Sequence, residues 1–165
     1  MSDFFSYAGP GRTTPEAERR EGARAILGDL SSEDWEKFIT YAARRRYPAG
    51  AVIVEAGSAE RALCFIASGQ VEVRSEAAAG LGWRRRGAGR TVQGEGEVFG
   101  LLSFLDGAPS AITATVSAAA PAELLMLSPD ALQQLAAWEP RIALALLRDL
   151  GAHVAERLRR LQPDA

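Results

Sequence analysis

A glycine-rich stretch from Phe99 to Ala111 combines the residue types that can hold an anion against the main chain. Gly100 precedes a short apolar segment, and a helix that begins after a glycine presents unpaired backbone N–H groups to an anion. Gly100 has no Cβ, so a ligand can approach its backbone closely. The small residues of segment 107–111 then return the chain to a strand. This stretch therefore predicts a phosphate cradle.

Four arginines precede this stretch and are the candidate cations for such an anion: Arg84, Arg85, Arg86 and Arg90. One interpretation is a solvated charge run in the insertion 77–89, and the other is a flap that supplies a cation from outside. Arg86 and Arg90 are the candidate anion contacts, because their spacing is similar to that of arginine pairs that clamp cyclic dinucleotides. The cluster could equally contact nucleic acid, although the overall acidity of the chain opposes this.

Catalytic and metal chemistry lack the residues that they need. His153 is the only histidine, so no histidine-based metal cluster or catalytic pair can form, and we predict no metal site and no catalytic residue. Cys64 is the only cysteine and lies in an apolar run, where a buried structural thiol is expected. A single thiol fits a reducing cytosol. We therefore expect a cytoplasmic protein that is not an enzyme.

The bulk composition predicts one soluble domain with a substantial core. The chain has 165 residues, of which 47% are hydrophobic, and its formal net charge is -2 at pH 7. This charge argues against a dedicated nucleic-acid binder, which usually carries a basic excess. No long uncharged apolar run and no signal-peptide pattern are present in the sequence. We therefore expect no membrane association.

Helical periodicity marks the first part of the chain. Residues 1–13 are interpreted as a flexible lead-in, and residues 14–165 as one domain. A first helix is predicted for residues 14–27, where Thr-Pro supplies an N-cap and a first-turn proline. Ser31 predicts the N-cap of a second helix that ends at about Ala42, with Asp34 in the capping-box position.

The middle of the chain alternates short β segments with Gly and Pro turns at intervals of about 8–12 residues, which is typical of a sandwich or barrel. The predicted strands cover residues 51–54, 63–67, 71–74, 91–93, 112–118 and 124–127. The predicted fold class is therefore α+β and mainly β. It is a double-stranded β-helix, a jelly-roll-like β-roll, with N-terminal helices and a long C-terminal helix.

The last two helices are predicted from a cap and from periodicity. Ser128 predicts the N-cap of the first of them. The second, at about residues 140–161, carries two apolar stripes, one of which has the alternating three- and four-residue steps of a coiled-coil seam. This seam consists of Leu144, Leu147, Gly151, Val154, Leu158 and Leu161. The second stripe consists of Ile142, Leu146 and Leu150. We expect the second stripe to pack on the β-roll and the seam to form a homodimer; the alternative is that the monomer covers both.

Three segments stand in the order seen in cyclic-nucleotide-binding domains: Tyr47-Pro48-Ala49-Gly50, the hairpin 68–73, and the Gly-Glu-Val-Phe-Gly segment 96–100. Over about residues 30–161 the chain resembles the effector domains of catabolite-activator-type regulators and kinase regulatory subunits. The resemblance implies a regulatory, signal-transducing domain with a ligand cassette. The corresponding residues here are Phe99, Gly100, Leu101, Leu102, Pro109, Ser110, Ala111 and Ile112.

The cassette departs from the family pattern at two positions. The family carries a glutamate after Phe-Gly, which accepts hydrogen bonds from the ribose, and an arginine after the later proline, which neutralises the cyclic phosphate. Leu101 and Ser110 stand at those positions in this chain. A buried phosphate needs a cation or several N–H donors. We therefore expect weak or absent binding of cAMP and cGMP, although a cyclic nucleotide is the cofactor that the resemblance implies.

Three functions are compatible with these observations. The first is a stand-alone regulatory domain that acts by dimerisation and by contact with an unknown partner protein. The second is a sensor of cAMP, a cyclic dinucleotide or another small effector through a diverged pocket. The third, an enzyme, is disfavoured because no catalytic constellation is present in the sequence. Because the chain ends at Ala165, shortly after the long helix, we expect no helix-turn-helix module and no direct DNA binding.

Overall fold

The computed structural model describes residues 26–75 and 89–161. Within them, two antiparallel four-stranded sheets have the strand orders β1-β8-β3-β6 and β2-β7-β4-β5. The strands are β1 Ala43–Tyr47, β2 Val52–Val54, β3 Leu63–Ser68, β4 Val71–Ser75, β5 Arg90–Gln93, β6 Val98–Phe99, β7 Ile112–Val116 and β8 Ala122–Leu127. The helices are α1 Ser32–Tyr41, α2 Leu101–Asp106, α3 Pro129–Trp138 and α4 Pro140–Leu161. The predicted β-roll with a long C-terminal helix is confirmed.

Several predicted segments lie outside the described residues. These are the lead-in 1–13, the insertion 77–89 except its last residue, and the helix 14–27 except Ile26 and Leu27, which form a turn. No helix in the described ranges is both long and apolar enough to cross a membrane.

Two hydrophobic clusters share strand β8, whose residues alternate between its two faces. Leu125 and Leu127 belong to the cluster between the first sheet and the helices, called here the helix-facing core. Leu124 and Met126 belong to the cluster inside the β-roll, called here the roll core. Both faces of β8 are therefore covered, which explains why Leu124–Leu127 is a continuous apolar run.

Helix α1 begins at the predicted N-cap, but its first-turn aspartate, Asp34, binds an arginine of another helix. The Ser31 hydroxyl accepts a hydrogen bond from the Asp34 N–H at 3.1 Å. The Asp34 carboxylate does not complete a capping box, because Arg141 binds its two oxygens at 2.7 and 2.8 Å. Hydrogen bonds from Arg141 hold the pKa of Asp34 below its ordinary value. This bidentate pair joins the start of α4 to α1.

Helix α4 is fixed to the domain along one stripe, as predicted. Ile142, Leu146 and Leu150 are each fully buried in the helix-facing core. On the same helix, Asp149 accepts a hydrogen bond from the backbone N–H of Leu27 at 2.9 Å. These contacts fix the rotation of α4 about its own axis, and with it the direction in which the other apolar stripe points.

Strands β1 and β6 were not predicted, and the strand predicted for residues 112–118 ends at Val116. The sequence of β1, Ala-Arg-Arg-Arg-Tyr, has no alternation of polar and apolar residues. It is a strand because it pairs along its whole length with β8, and Arg44 forms an ion pair with Glu123 of that strand. This pairing joins segments about 80 residues apart, so local sequence carries no signal for it.

Candidate functional site

The chain enters the cassette through strand β6, where Phe99 pairs with Cys64 of β3. Gly100 then adopts a left-handed φ of 83°. A Cβ on Gly100 would lie 2.7 Å from the carbonyl oxygen of Ala62. Glycine alone satisfies both the left-handed conformation and this close approach. The six-residue helix α2 follows, as predicted, and ends at Asp106, with Gly107 as its C-cap.

Ser110, at the position of the family arginine, uses its polar groups within the protein. Its carbonyl accepts from the Gly57 N–H at 2.7 Å, and its own N–H donates to the Ser58 carbonyl at 2.9 Å. Its hydroxyl donates to the Ile112 carbonyl at 2.8 Å and accepts from the Ile112 N–H at 3.2 Å. The return loop is thus tied to the β2–β3 turn, and this serine supplies no cation.

A cavity of about 10 Å³ lies against the cassette, which is room for about one water molecule. It is lined by Val54, Glu60, Ala62, Cys64, Phe99, Gly100, Ser103, Ser110, Ile112 and Met126. Sites for organic ligands usually have volumes of about 300–1,000 Å³. A cyclic nucleotide would therefore require the surrounding side chains to move.

The predicted cassette residues divide into two groups of four. One group lines the cavity and consists of Phe99, Gly100, Ser110 and Ile112. The other group does not line it and consists of Leu101, Leu102, Pro109 and Ala111. Leu101 is only 5% exposed and packs in the helix-facing core, whereas Leu102 and Pro109 are exposed. The position of the family glutamate is therefore occupied by a core side chain.

Sequence reasoning missed Glu60 and Ser103. Glu60 is the one charged side chain that lines the cavity in the described part of the chain. Ser103 is 7% exposed, and its hydroxyl makes no hydrogen bond with residues 26–75 or 89–161. A polar residue inside the apolar segment Leu101–Leu105 was the available signal for Ser103. Glu60 gave no signal, because the position of its turn depends on the distant partners of β3.

Cys64 is buried in the cavity wall, as predicted for a structural thiol. Burial raises the pKa of Cys64 to about 12, and the negative charge of Glu60 contributes to the rise. The thiol also contacts the carbonyl oxygen of Ala62 at 3.6 Å. Since thiolate is the nucleophilic form, this cysteine is held in its unreactive state at neutral pH.

We expect the native protein to leave Cys64 unmodified by a thiol-reactive disulfide reagent at pH 8. The reason is that the thiol is both buried and almost entirely protonated there. Absorbance of the released thiolate should show no reaction in buffer and one thiol per chain in guanidinium. An Ala49→Cys variant, which adds a thiol in an exposed turn, should react once without denaturant. Stoichiometric labelling of the native wild type would contradict the burial argument.

The candidate anion contacts are only partly described. Arg90 is exposed, and its guanidinium donates to Glu72 at 2.6 Å. Arg74 donates to the same carboxylate at 2.7 Å, and hydrogen bonds from Arg74 and Arg90 lower the pKa of Glu72. Arg86 lies outside the described residues. Anion binding by Arg86 and Arg90 therefore stays a prediction.

The predicted seam lies on the outward side of α4. Its four leucines are exposed, at 58% for Leu144, 40% for Leu147, 52% for Leu158 and 75% for Leu161. Gly151 is also exposed, and Val154 is half-buried. His153 beside the seam is half-buried too, and this burial lowers its pKa. The described part of one chain therefore does not cover this stripe.

Comparison with known proteins gives one family and several structural neighbours. The model of the cyclic nucleotide-binding domain matches residues 44–137. This chain is similar to the crystal structure of the Thermus thermophilus catabolite activator protein, with 26% sequence identity and a TM-score of 0.69. The similarity covers 86% of this chain and 61% of that protein's chain. It is also similar to the crystal structure of a cyclic nucleotide-binding domain from Methylobacillus flagellatus KT, with 25% sequence identity and a TM-score of 0.66. That similarity covers 85% of this chain and 77% of the other chain.

A curated relative is much longer than this chain. Glutaminase 2 of Bradyrhizobium diazoefficiens is 29% identical over 137 residues, which is 83% of this chain and 20% of the relative. The chain thus spans about a fifth of the length of that relative. The similar segment is one part of a larger polypeptide there.

Proposed function

The chain belongs to the cyclic nucleotide-binding domain family, and on that premise we propose that it is a non-catalytic regulatory domain with weak or absent binding of cAMP and cGMP. The carrying observation is that Ser110 has every polar group satisfied by the protein itself. Leu101, at the other recognition position, contributes to the core. The proposed domain transmits its signal by dimerisation and by contact with a partner protein.

The charges around the cavity support weak binding of a cyclic phosphate. Glu60, an exposed residue, is among those that line the cavity, and the described lining residues include no arginine or lysine. Leaving a buried charge without its hydrogen-bonded partner costs about 2–5 kcal/mol, which is roughly tens- to thousands-fold in affinity. The negative charge of Glu60 would also repel the phosphate and weaken binding further.

Calorimetric titration with cAMP and with cGMP tests this function. We expect a dissociation constant weaker than about 1 mM for both, because the described lining residues of the cavity include no arginine or lysine and do include Glu60. A Ser110→Arg variant, checked for folding by circular dichroism, should bind cAMP about tenfold or more tightly than the wild type. Micromolar binding of either nucleotide by the wild type would refute the proposal.

The proposed dimer is symmetric and uses the α4 seam. Its support is the exposed row of leucines on a helix whose opposite stripe is fully buried. An exposed apolar stripe with coiled-coil spacing is typical of an interface. Gly151 in the middle of the stripe would let the two helices approach closely.

The proposed partner is a protein, and direct contact with DNA or a membrane is not part of the function. The Bradyrhizobium relative supports this interpretation, because the similar segment is there joined to a much longer chain. The net charge of -2 also gives no general attraction to nucleic acid. The buried thiol of Cys64 supports a cytoplasmic setting.

A second candidate function is a ligand-responsive sensor with a diverged pocket. The observation that favours it is Ser103, a residue that is 7% exposed, lines the cavity and has a hydroxyl that makes no hydrogen bond with the described residues. The donor and acceptor capacity of this hydroxyl is therefore available to a ligand in the cavity. A thermal-shift screen of cyclic nucleotides, cyclic dinucleotides and small neutral effectors separates this function from the first, which predicts no shift.

A further inference from the structure

Strand β1 is the longest and most regular edge strand of the two described sheets. The strand orders place β1 and β6 at the edges of one sheet and β2 and β5 at the edges of the other. Strand β6 has two residues, β2 has three with a register shift, and β5 has four. Strand β1 has five residues, and all of them pair with β8 in one register. Such an edge can pair with another extended segment through its backbone N–H and C=O groups.

Both ends of β1 are held in place by the rest of the domain. At its start, the N–H of Ala42, the C-cap of α1, donates to the Ile39 carbonyl at 3.2 Å. At its end, the Tyr47 hydroxyl donates to the Met126 sulfur at 3.6 Å, and the tyrosine packs against the roll core. The edge is therefore already ordered, which lowers the entropic cost of binding a partner.

The side chains of β1 concentrate positive charge at this edge. Residues 43–46 are exposed, and the last three of them are arginines. Arg44 forms an ion pair with Glu123 of β8. Arg45 and Arg46 make no ion pair with residues 26–75 or 89–161. The edge thus has an excess of positive charge, although the chain as a whole has a net charge of -2.

The two arginines point to opposite faces of the sheet. Arg45 is in register with Leu124, which belongs to the roll core, and Arg46 is in register with Glu123 on the other face. An extended peptide paired to this edge alternates its side chains in the same way, so acidic residues on it can reach both arginines. A nucleic-acid backbone that ran along one face would reach only one of them. The alternation therefore favours a peptide.

The charge of the edge also selects the kind of peptide. Charged side chains on an edge strand oppose the addition of apolar strands, and arginines also repel basic ones. An acidic strand is attracted instead, because a guanidinium group can bind a carboxylate through two parallel hydrogen bonds.

We propose that the outer edge of β1 binds an acidic, extended segment of the partner protein, which adds a strand to the first sheet and places carboxylates against Arg45 and Arg46. The backbone of β1 supplies the pairing, and the two arginines supply the charge selectivity. This inference rests on the proposed function, since it assigns a docking surface and a chemical class to the partner of that regulatory domain.

Three labelled peptides of about ten residues test the two parts of the proposal. The first alternates glutamate with threonine, the second has glutamine in place of each glutamate, and the third keeps the glutamates but has proline in place of each threonine. Proline has no backbone N–H and cannot continue a strand pairing. Fluorescence anisotropy with the full chain at pH 7 and low ionic strength should show saturable binding of the first peptide. We expect this peptide to bind about tenfold or more tightly than either of the others, and added salt should weaken its binding.

Variants of the full chain assign the contact to β1. An Arg45→Gln, Arg46→Gln double variant should bind the acidic peptide about three- to tenfold more weakly. Reversal of both charges, as Arg45→Glu with Arg46→Glu, should make the edge prefer a peptide with lysine in place of glutamate. The matched control, Arg148→Gln with Arg159→Gln, removes two exposed arginines from α4 and should leave binding unchanged. Circular dichroism checks that each variant is folded.

Hydrogen exchange of the backbone amides in β1 reports the strand pairing itself. Saturation with the acidic peptide should slow exchange at residues 43–47, because amides on the outer edge become hydrogen-bonded. Four results would overturn the proposal: no saturable binding of the acidic peptide, equal binding of the proline peptide, unchanged binding by the glutamine variant, or no added protection in β1. Tighter binding of single-stranded DNA or anionic vesicles through the same arginines would overturn it as well.

The outcomes separate this proposal from the function on which it rests. If neither the acidic peptide nor cAMP binds, the docking surface fails while the proposed regulatory domain stands. If cAMP binds at micromolar concentration, the proposed function fails by itself, whatever the peptide does. If the peptide binds at β1 and cAMP does not bind, both proposals are supported.

Discussion

A Gly69→Ala variant is expected to lose about 2–5 kcal/mol of its free energy of unfolding. Gly69 has a left-handed φ of 89°, which costs an L-residue about 1–2 kcal/mol. The new Cβ would also lie 2.7 Å from the carbonyl oxygen of Pro121 and 2.8 Å from the Cα of Ala122. These are backbone atoms at the start of β8, which is paired on both sides and cannot move aside cheaply.

Gly96→Ala is the matched control for this prediction. Gly96 has nearly the same φ, 82°, but nothing lies within 4 Å of its added Cβ. The Gly96→Ala variant should lose only the part of the free energy of unfolding that comes from the left-handed backbone conformation, about 1–2 kcal/mol. Urea denaturation of both variants and the wild type measures the difference. Equal losses in the two variants would show that the contact with β8 is relieved without cost.

Local sequence signals are sufficient where the chain is shaped by local chemistry. Ser31 and Ser128 are predicted as N-caps, and each side chain accepts the expected backbone hydrogen bond. The spacing of apolar residues along α4 likewise separates its buried stripe from its exposed one. These features depend on residues within a few positions of each other, so the sequence contains the information.

Features that depend on distant partners are not predictable in the same way. Strand β1 exists through pairing with β8, and its arginines resemble a loop when considered alone. Asp34 fits a capping box by spacing, but a bidentate arginine from α4 competes for its carboxylate. The wall of the cavity likewise combines residues of strands β2, β3, β6, β7 and β8 and of helix α2 with the β2–β3 turn.

The residue types of the cassette are visible in the sequence, but the directions of their side chains are not. The identities of Leu101 and Ser110 predict the loss of ribose and phosphate recognition. The structure adds that Leu101 packs in the helix-facing core and that the polar groups of Ser110 bond to Ile112 of β7 and to the β2–β3 turn. Restoring the family residues would therefore disturb packing as well as add charge. A single Ser110→Arg change is the gentler test, because the serine is not part of either hydrophobic core.

A Leu144→Glu, Leu158→Glu double variant is expected to be a monomer, whereas the wild type is expected to be a dimer. Both leucines are exposed in the single chain, so the substitutions leave the monomer core intact. In the symmetric dimer each change would bury two carboxylates, and an unpaired buried charge costs several kcal/mol. Val154 is left unchanged, because it also packs against the helix-facing core. Light scattering at a series of protein concentrations measures the mass.

The matched control adds the same two charges away from the seam, as Ala136→Glu with Ala152→Glu. Both alanines are exposed, so this variant should keep the mass of the wild type. Dimeric mass in the leucine variant, or monomeric wild type, would refute the seam as an interface. If the leucine variant alone dissociates, its thermal shifts in the effector screen can be compared with those of the dimer. Because Leu146 and Leu150 bury the other stripe of α4 in the helix-facing core, any difference would couple the interface to the domain through this one helix.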